Sequence, residues 1–134
     1  MRRDPRWAPL FEGLAALGRH ERFTLAGLVV GDDGGARDVY VHAKLAIVDD
    51  VWATLGSANL DAGSLGRQTE LNASWWDPGL ARRLCAELFA EHLGNPEATL
   101  AEFRASAHAN AERLARGEPP RGLAVAIDPA RYGE

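Results

Sequence analysis

A histidine, a lysine and an aspartate stand close together near the middle of this chain, followed by a serine, an asparagine and a glutamate. Residues 41–72 read VHAKLAIVDDVWATLGSANLDAGSLGRQTELN. An imidazole can attack phosphorus as a nucleophile, and an ammonium or amide beside it can stabilise the charge on phosphate oxygens. These residue types at this spacing predict a site that cleaves phosphate esters. The candidate site residues are His42, Lys44, Asp49, Ser57, Asn59 and Glu70.

The apolar pattern predicts which elements would hold these residues. Residues 39–48 predict one strand, on which His42 and Lys44 would share a face because alternate side chains of a strand do so. Residues 51–55 predict a second strand that ends at Gly56 and Ser57, and residues 70–76 predict a further strand beginning with Glu70. The ends of strands and the loops beside them are common positions for functional groups.

Capping signals predict helices on both sides of these strands, since an aspartate or asparagine followed by proline starts a helix and a glycine ends one. Strands grouped in the middle with helices at both ends predict a layered α/β domain, α-β-α in order, with a mixed sheet. One domain is expected over residues 1–117, with a C-terminal extension over residues 118–134. The predicted helices start at Asp4, Asp77 and Asn95 and end at Gly18, Gly94 and Gly117; two more strands cover residues 23–30 and 123–127, with a hairpin turn at residues 31–35 and a loop at residues 60–68.

Size, charge and cysteine content narrow the class of protein. A chain of 134 residues with 46% hydrophobic content has room for one core and one catalytic unit. A net charge of −4 provides no general basic field, which argues against a protein that holds a polyanionic nucleic acid. The single cysteine, Cys85, excludes a disulfide framework, and no pair of His or Cys has the spacing of zinc ligands.

The spacing His42-x-Lys44-x4-Asp49, followed by Gly56-Ser57-x-Asn59, resembles the HKD motif of the phospholipase D superfamily. Flanking segments resemble bacterial phospholipase D and cardiolipin-synthase sequences, so the resemblance covers residues 23–95 and is strongest over residues 40–72. It implies the phospholipase D-like half-domain fold and phospholipid head-group hydrolysis or phosphatidyl transfer. It departs from the family pattern at Gly63, where many relatives have arginine.

The resemblance also implies a role for each candidate residue. His42 would form a covalent phosphohistidine, with Glu70 holding the far ring nitrogen so that the attacking nitrogen is unprotonated. Lys44, Ser57 and Asn59 would contact the phosphate. Asp49 is too far along the strand to touch the imidazole, so it would fix the turn after the motif strand and could also hold Lys44. No metal and no other cofactor is expected, because Lys44 and Asn59 would take the place of a Lewis acid.

Family enzymes provide a second histidine from a second copy of the motif, and this chain has one copy. A second copy is therefore expected from a homodimer or from a partner chain, and the family's preceding strand–helix units are expected to lie outside this sequence. The expected location is the cytoplasm, with peripheral contact of Trp75 and Trp76 at a membrane left open. Two alternatives also remain: an endonuclease of the same superfamily, and an inactive fragment or interaction module.

Overall fold

The computed structural model describes residues 4–32 and 35–133. The chain combines helices with strands, which confirms the α/β class and is consistent with a phospholipase D-like half domain. The elements after a short 3-10 helix (Pro5–Trp7) are α1 (Ala8–Leu17), β1 (Leu25–Asp32), β2 (Gly35–Val39), β3 (Leu45–Val48), β4 (Trp52–Gly56), α2 (Ala62–Gly66), β5 (Asn72–Trp76), α3 (Pro78–Leu93), α4 (Leu100–Ala115) and β6 (Ala124–Ile127).

The described strands form two three-stranded antiparallel sheets, ordered β2-β1-β6 and β3-β4-β5, where one mixed sheet was expected. The short connections explain the difference. Parallel pairing requires a crossover of about a dozen or more residues, whereas β3 and β4 are joined by a tight turn and β1 and β2 are close along the chain. The hairpin predicted between β1 and β2 is present, although residues 33 and 34 of its turn lie outside the described residues.

The chain forms two compact units, one from Met1–Val39 with Thr99–Glu134 and the other from Tyr40–Ala98. In the described part of the first unit, the small core includes Phe11, Val29, Ala107 and Ala124. The second unit holds all six candidate site residues. Its helix α3 contacts β4, where Ala53 is fully buried.

Local capping explains where the helices begin. Asp77 starts α3 by accepting a hydrogen bond from the Leu80 N–H, and Gly94 ends the helix in the left-handed conformation with φ 71°, as predicted. Helix α4, in contrast, begins after Thr99 and not at Asn95, so that predicted start is wrong. A capping box joins Thr99 and Glu102 through reciprocal hydrogen bonds, which satisfy N–H groups at the helix end.

Two further predictions from the apolar pattern are wrong. The single strand predicted over residues 39–48 is interrupted at residues 40–44, because β2 belongs to one sheet and β3 to the other. The loop predicted over residues 60–68 contains α2, which Asp61 caps by accepting a hydrogen bond from the Ser64 N–H at 2.8 Å. Gly63 and Gly66 suggested a loop, but the aspartate cap stabilises a short helical turn.

The predicted strand at residues 123–127 is present as β6 and pairs with β1. The division into a domain of residues 1–117 and an extension of residues 118–134 stays a prediction. None of the helices within residues 4–32 and 35–133 combines the length and the apolar content that crossing a membrane requires.

Candidate active site

Three chain segments that carry candidate residues meet at one end of the β3-β4-β5 sheet. They are the residues just before β3, the loop after β4 and the residues just before β5. The Gly56 N–H donates to the Lys44 carbonyl at 3.1 Å, and the Ser57 N–H donates to the Leu71 carbonyl at 3.0 Å. These backbone hydrogen bonds continue the antiparallel ladders past the strand ends.

His42 and Lys44 lie in the irregular segment before β3, so the prediction that a strand carries them is wrong. The Lys44 ammonium instead donates to the His42 carbonyl at 3.0 Å, which places the positive charge beside the histidine backbone. The exposed His42 ring stacks on the ring of Tyr40, with centroids 5.7 Å apart and planes 19° from parallel. The imidazole makes no hydrogen bond within the described residues, and solvent or a ligand can approach it.

Ser57 and Glu70 are joined directly. The Ser57 hydroxyl donates to the Glu70 carboxylate at 2.5 Å and accepts from the Leu71 N–H at 3.0 Å. Hydrogen bonds from Ser57 first and from Ser64 second hold the pKa of the Glu70 carboxyl below its ordinary value, and the nearby Lys44 charge acts in the same direction. Glu70 is therefore ionised at neutral pH, as a partner of an imidazole should be.

The carboxylate of Glu70 makes no hydrogen bond to the His42 ring among the described residues. It was expected to lie on a strand next to the motif strand, and both parts of that expectation are wrong. Glu70 precedes β5, and β5 pairs with β4, which lies between it and β3. The sequence pattern fixes the order of strands along the chain but not their order in a sheet. The role of Glu70 as the partner of His42 stays a prediction.

Asn59 and Asp49 lie at different ends of the sheet. Asn59 is exposed in the loop after β4, and its side chain has no hydrogen bond within the described part of the chain. Asp49 follows β3 in a turn where Asp49 and Asp50 have φ angles of 52° and 55°, and the Val51 N–H donates to the Val48 carbonyl at 3.1 Å. Five residue steps of about 3.3 Å separate Asp49 from Lys44. Asp49 thus lies in the turn, away from the other five.

One residue of the site was overlooked as a functional group. The Asn72 side chain accepts a hydrogen bond from the Ala58 N–H at 3.1 Å, within the loop that carries Ser57 and Asn59. The signal lay in the strand register, because Asn72 pairs with Gly56 across the sheet. That register becomes known only when the pairing of β4 and β5 is known.

Cys85 and the acidic residues give no sign of other chemistry. Cys85 is half-buried in α3, and burial first and Asp50 second raise the pKa of its thiol, so it stays protonated and is a poor nucleophile. Across residues 4–32 and 35–133, no group of three or more His, Cys, Asp or Glu side chains could hold a metal ion. A metal-independent reaction stays a prediction.

A family model described as "Cardiolipin synthase, PLD-like domain" matches residues 15–92, which is more than half of the chain and includes all six candidate residues. The chain belongs to this family of the phospholipase D superfamily. It is also similar to the major cardiolipin synthase ClsA of Bacillus subtilis (strain 168), at 33% identity over 64 residues. That similarity covers 48% of this chain and 13% of the relative, so the chain spans a small part of the relative's length.

Proposed function

We propose that this domain acts as a phospholipase D-type phosphodiesterase that hydrolyses or transfers phosphatidyl groups through a phosphohistidine at His42. Family membership supports this class of reaction, and the similarity to a cardiolipin synthase supports a phospholipid substrate. The observation that carries the proposal is the meeting of three segments at one end of the β3-β4-β5 sheet. Backbone hydrogen bonds hold these segments, which carry His42 and Lys44, Ser57 and Asn59, and Glu70.

The first step of the proposed reaction forms a bond between a ring nitrogen of His42 and phosphorus and breaks the bond from phosphorus to the leaving alcohol oxygen. Lys44 and Asn59 would donate to the non-bridging oxygens, whose negative charge grows in the transition state. The Lys44 ammonium has three donors, and its bond to the His42 carbonyl uses one. Two donors therefore remain for a phosphate.

Glu70 is proposed to stabilise the imidazole while the phosphohistidine forms. A carboxylate offers about four lone-pair sites, and the hydrogen bond from the Ser57 hydroxyl leaves capacity for an N–H of the His42 ring. Its lowered pKa keeps the carboxylate charged, which favours a protonated or hydrogen-bonded ring nitrogen. In this proposal Ser57 contributes by holding Glu70 and the loop together.

A second histidine is needed to protonate the leaving alkoxide, because the nucleophile cannot be the general acid in the same step. We assign this role to His42 of a second copy, or to the histidine of a partner chain with its own motif. Water or an acceptor alcohol then attacks phosphorus, gives its proton to the second histidine and breaks the phosphorus–nitrogen bond. In a two-fold symmetric dimer both copies would provide the same residue.

The test is an assay on a generic phosphodiester with a chelator present, run beside light scattering to determine the mass. Turnover is expected from a dimer or from a complex with a partner, and it should survive the chelator. His42→Ala should lower kcat by roughly 10⁴-fold or more, as loss of a nucleophile does in other enzymes. The matched control is His108→Ala, which removes an exposed imidazole from α4, far along the chain from the motif.

Three results would overturn the proposal. Turnover abolished by the chelator would indicate a metal mechanism, and turnover kept by His42→Ala would exclude the phosphohistidine. Absence of turnover in every assembly state, with phosphatidylglycerol vesicles also tried as substrate, would favour an inactive module.

A further inference from the structure

Asn72 connects two parts of the sheet through its side-chain amide. Its Oδ1 accepts from the Ala58 N–H at 3.1 Å, and its Nδ2 donates to the Thr54 hydroxyl at 3.2 Å. Ala58 lies between Ser57 and Asn59, so this bond acts on the backbone of the loop that carries both. The Asn72 side chain thus fixes the backbone of the loop whose Asn59 is proposed to bind phosphate.

The hydrogen bonds of Thr54 determine which way the Asn72 amide is turned. The Thr54 hydroxyl accepts from the Ser74 hydroxyl at 2.8 Å and donates its single proton to the Ala73 carbonyl at 3.2 Å. Toward Asn72 it can therefore act only as an acceptor, and the amide must present its NH₂ group to Thr54. The amide oxygen is then left facing the Ala58 N–H.

Gly56 provides a second and independent observation. It lies opposite Asn72 in the pairing of β4 with β5. A Cβ atom at position 56 would overlap the Asn72 side-chain oxygen and the Leu71 carbonyl oxygen. Only glycine leaves the space in which the Asn72 side chain crosses β4 to reach Ala58.

We infer that Asn72 is a positioning residue of the active site, which holds Asn59 in place for phosphate through the Ala58 amide. This inference rests on the proposed function for the identity of the ligand, while the hydrogen bond that carries it belongs to the structure. Asn72 acts separately from Glu70, because the Ser57–Glu70 and Ser57–Leu71 bonds do not involve its side chain.

Loss of this acceptor should leave the Ala58 N–H without its partner and allow the Asn59 amide to move. A misplacement of about 1 Å in a catalytic group can cost roughly 10²-fold in rate. If Asn59 stabilises charge that develops in the transition state, kcat should fall while KM changes little. A general loss of stability would instead lower the apparent kcat by reducing the fraction of folded protein, and would leave Ala58 exchange and phosphate binding of the folded fraction unchanged.

The experiment compares Asn72→Ala and Thr54→Val with a matched control, Ser74→Ala, which removes a donor to the same Thr54 oxygen without touching the loop. Three quantities are measured: amide hydrogen exchange of Ala58 by NMR, binding of inorganic phosphate followed at the Asn59 side-chain amide, and kcat with KM on a generic phosphodiester. Thr54→Val keeps Asn72 but removes the oxygen that orients its amide, so it carries the test if Asn72→Ala does not fold.

Asn72→Ala should speed Ala58 exchange by about tenfold, which corresponds to the loss of one net hydrogen bond. It should also weaken phosphate binding at Asn59 and lower kcat by roughly 10²-fold. Thr54→Val should change the same quantities in the same direction and by less. Ser74→Ala should stay within about twofold of the wild type in all three, since Thr54 still donates its proton to the Ala73 carbonyl and therefore still accepts from the Asn72 amide.

Unchanged Ala58 exchange in Asn72→Ala, or an equal change in Ser74→Ala, would overturn the inference. A wild type with turnover whose kcat survives Asn72→Ala would overturn it as well, and would leave the proposed function standing. Conversely, a wild type without turnover defeats the proposed function alone, because Ala58 exchange and phosphate binding still decide the role of Asn72.

Discussion

Replacing Asn110 is expected to lower the free energy of unfolding substantially. It lies in α4 with 1% of its surface exposed. Its Nδ2 donates to the carbonyls of Arg121 and Ala124 at 2.8 and 2.9 Å, and its Oδ1 accepts from the Arg121 N–H at 2.8 Å. One buried amide therefore fixes the chain that leads from α4 into β6.

The cost of Asn110→Ala can be worked from these three bonds. Each intramolecular hydrogen bond contributes a net 0.5–1.5 kcal/mol or so, which gives about 3 kcal/mol for the three. In the variant the carbonyl of the fully buried Ala124 would lose its donor at a place that water reaches poorly. The loss of about 3 kcal/mol is therefore a lower bound. For a chain of this size a loss of about 3 kcal/mol corresponds to a fall in Tm of roughly 10 °C.

Urea unfolding followed by circular dichroism measures the change in the free energy of unfolding. His108→Ala, at an exposed position of the same helix, is the control and should stay within about 0.5 kcal/mol of the wild type. A loss below about 1 kcal/mol in Asn110→Ala would refute the reasoning, because it would mean that water or a neighbouring group replaces all three bonds.

Two further predictions concern the site. Ser57→Ala should raise the pKa of Glu70 toward its ordinary value, since the Ser57 hydroxyl is the largest cause of its lowering; an NMR pH titration of the Glu70 carboxyl carbon measures this, and an unchanged midpoint would contradict it. Because that pKa is lowered on folding, the stabilisation is present above the ordinary glutamate range and is lost as pH falls through the lowered value. Asp49→Ala should cost about 1–2 kcal/mol, because a left-handed φ is strained for alanine, whereas Asp49→Gly should retain both stability and kcat. A large fall in kcat for Asp49→Gly, compared at equal concentrations of folded protein, would show that the carboxylate contributes to the reaction and not only to the turn.

Features set by neighbours along the chain could be predicted from the sequence. Asp77 and Gly94 bound α3 as expected, because a cap acts on N–H or carbonyl groups within one turn. The prediction for α4 used the Asn95-Pro96 pair, whereas the helix is capped by Thr99 together with Glu102, three residues on. Asn95 instead accepts from the Glu97 N–H in a turn before the helix. Two competing local signals cannot be ranked without the packing of the helix.

Features set by distant residues could not be predicted. An apolar pattern over residues 39–48 indicates extended chain, but nothing in it shows that the chain leaves one sheet at Val39 and enters another at Leu45. The motif identified the candidate residues of the site by type and spacing. Their contacts depend on the strand order β3-β4-β5, which placed Glu70 beside Ser57. Asn110 had no signal at all, since an asparagine within a helical pattern usually faces solvent.

The main chain, and not only the side chains, holds the site together, and this affects how such domains can diverge. Leu71 contributes its carbonyl and its N–H to Ser57, while the residue as a whole is 83% exposed. Ala58 likewise contributes through its N–H. Mutational drift at either position should be tolerated for most residue types other than proline, which lacks the N–H. A comparison of residue types at positions 58 and 71 would therefore not reveal that the geometry of the loop depends on their backbone groups.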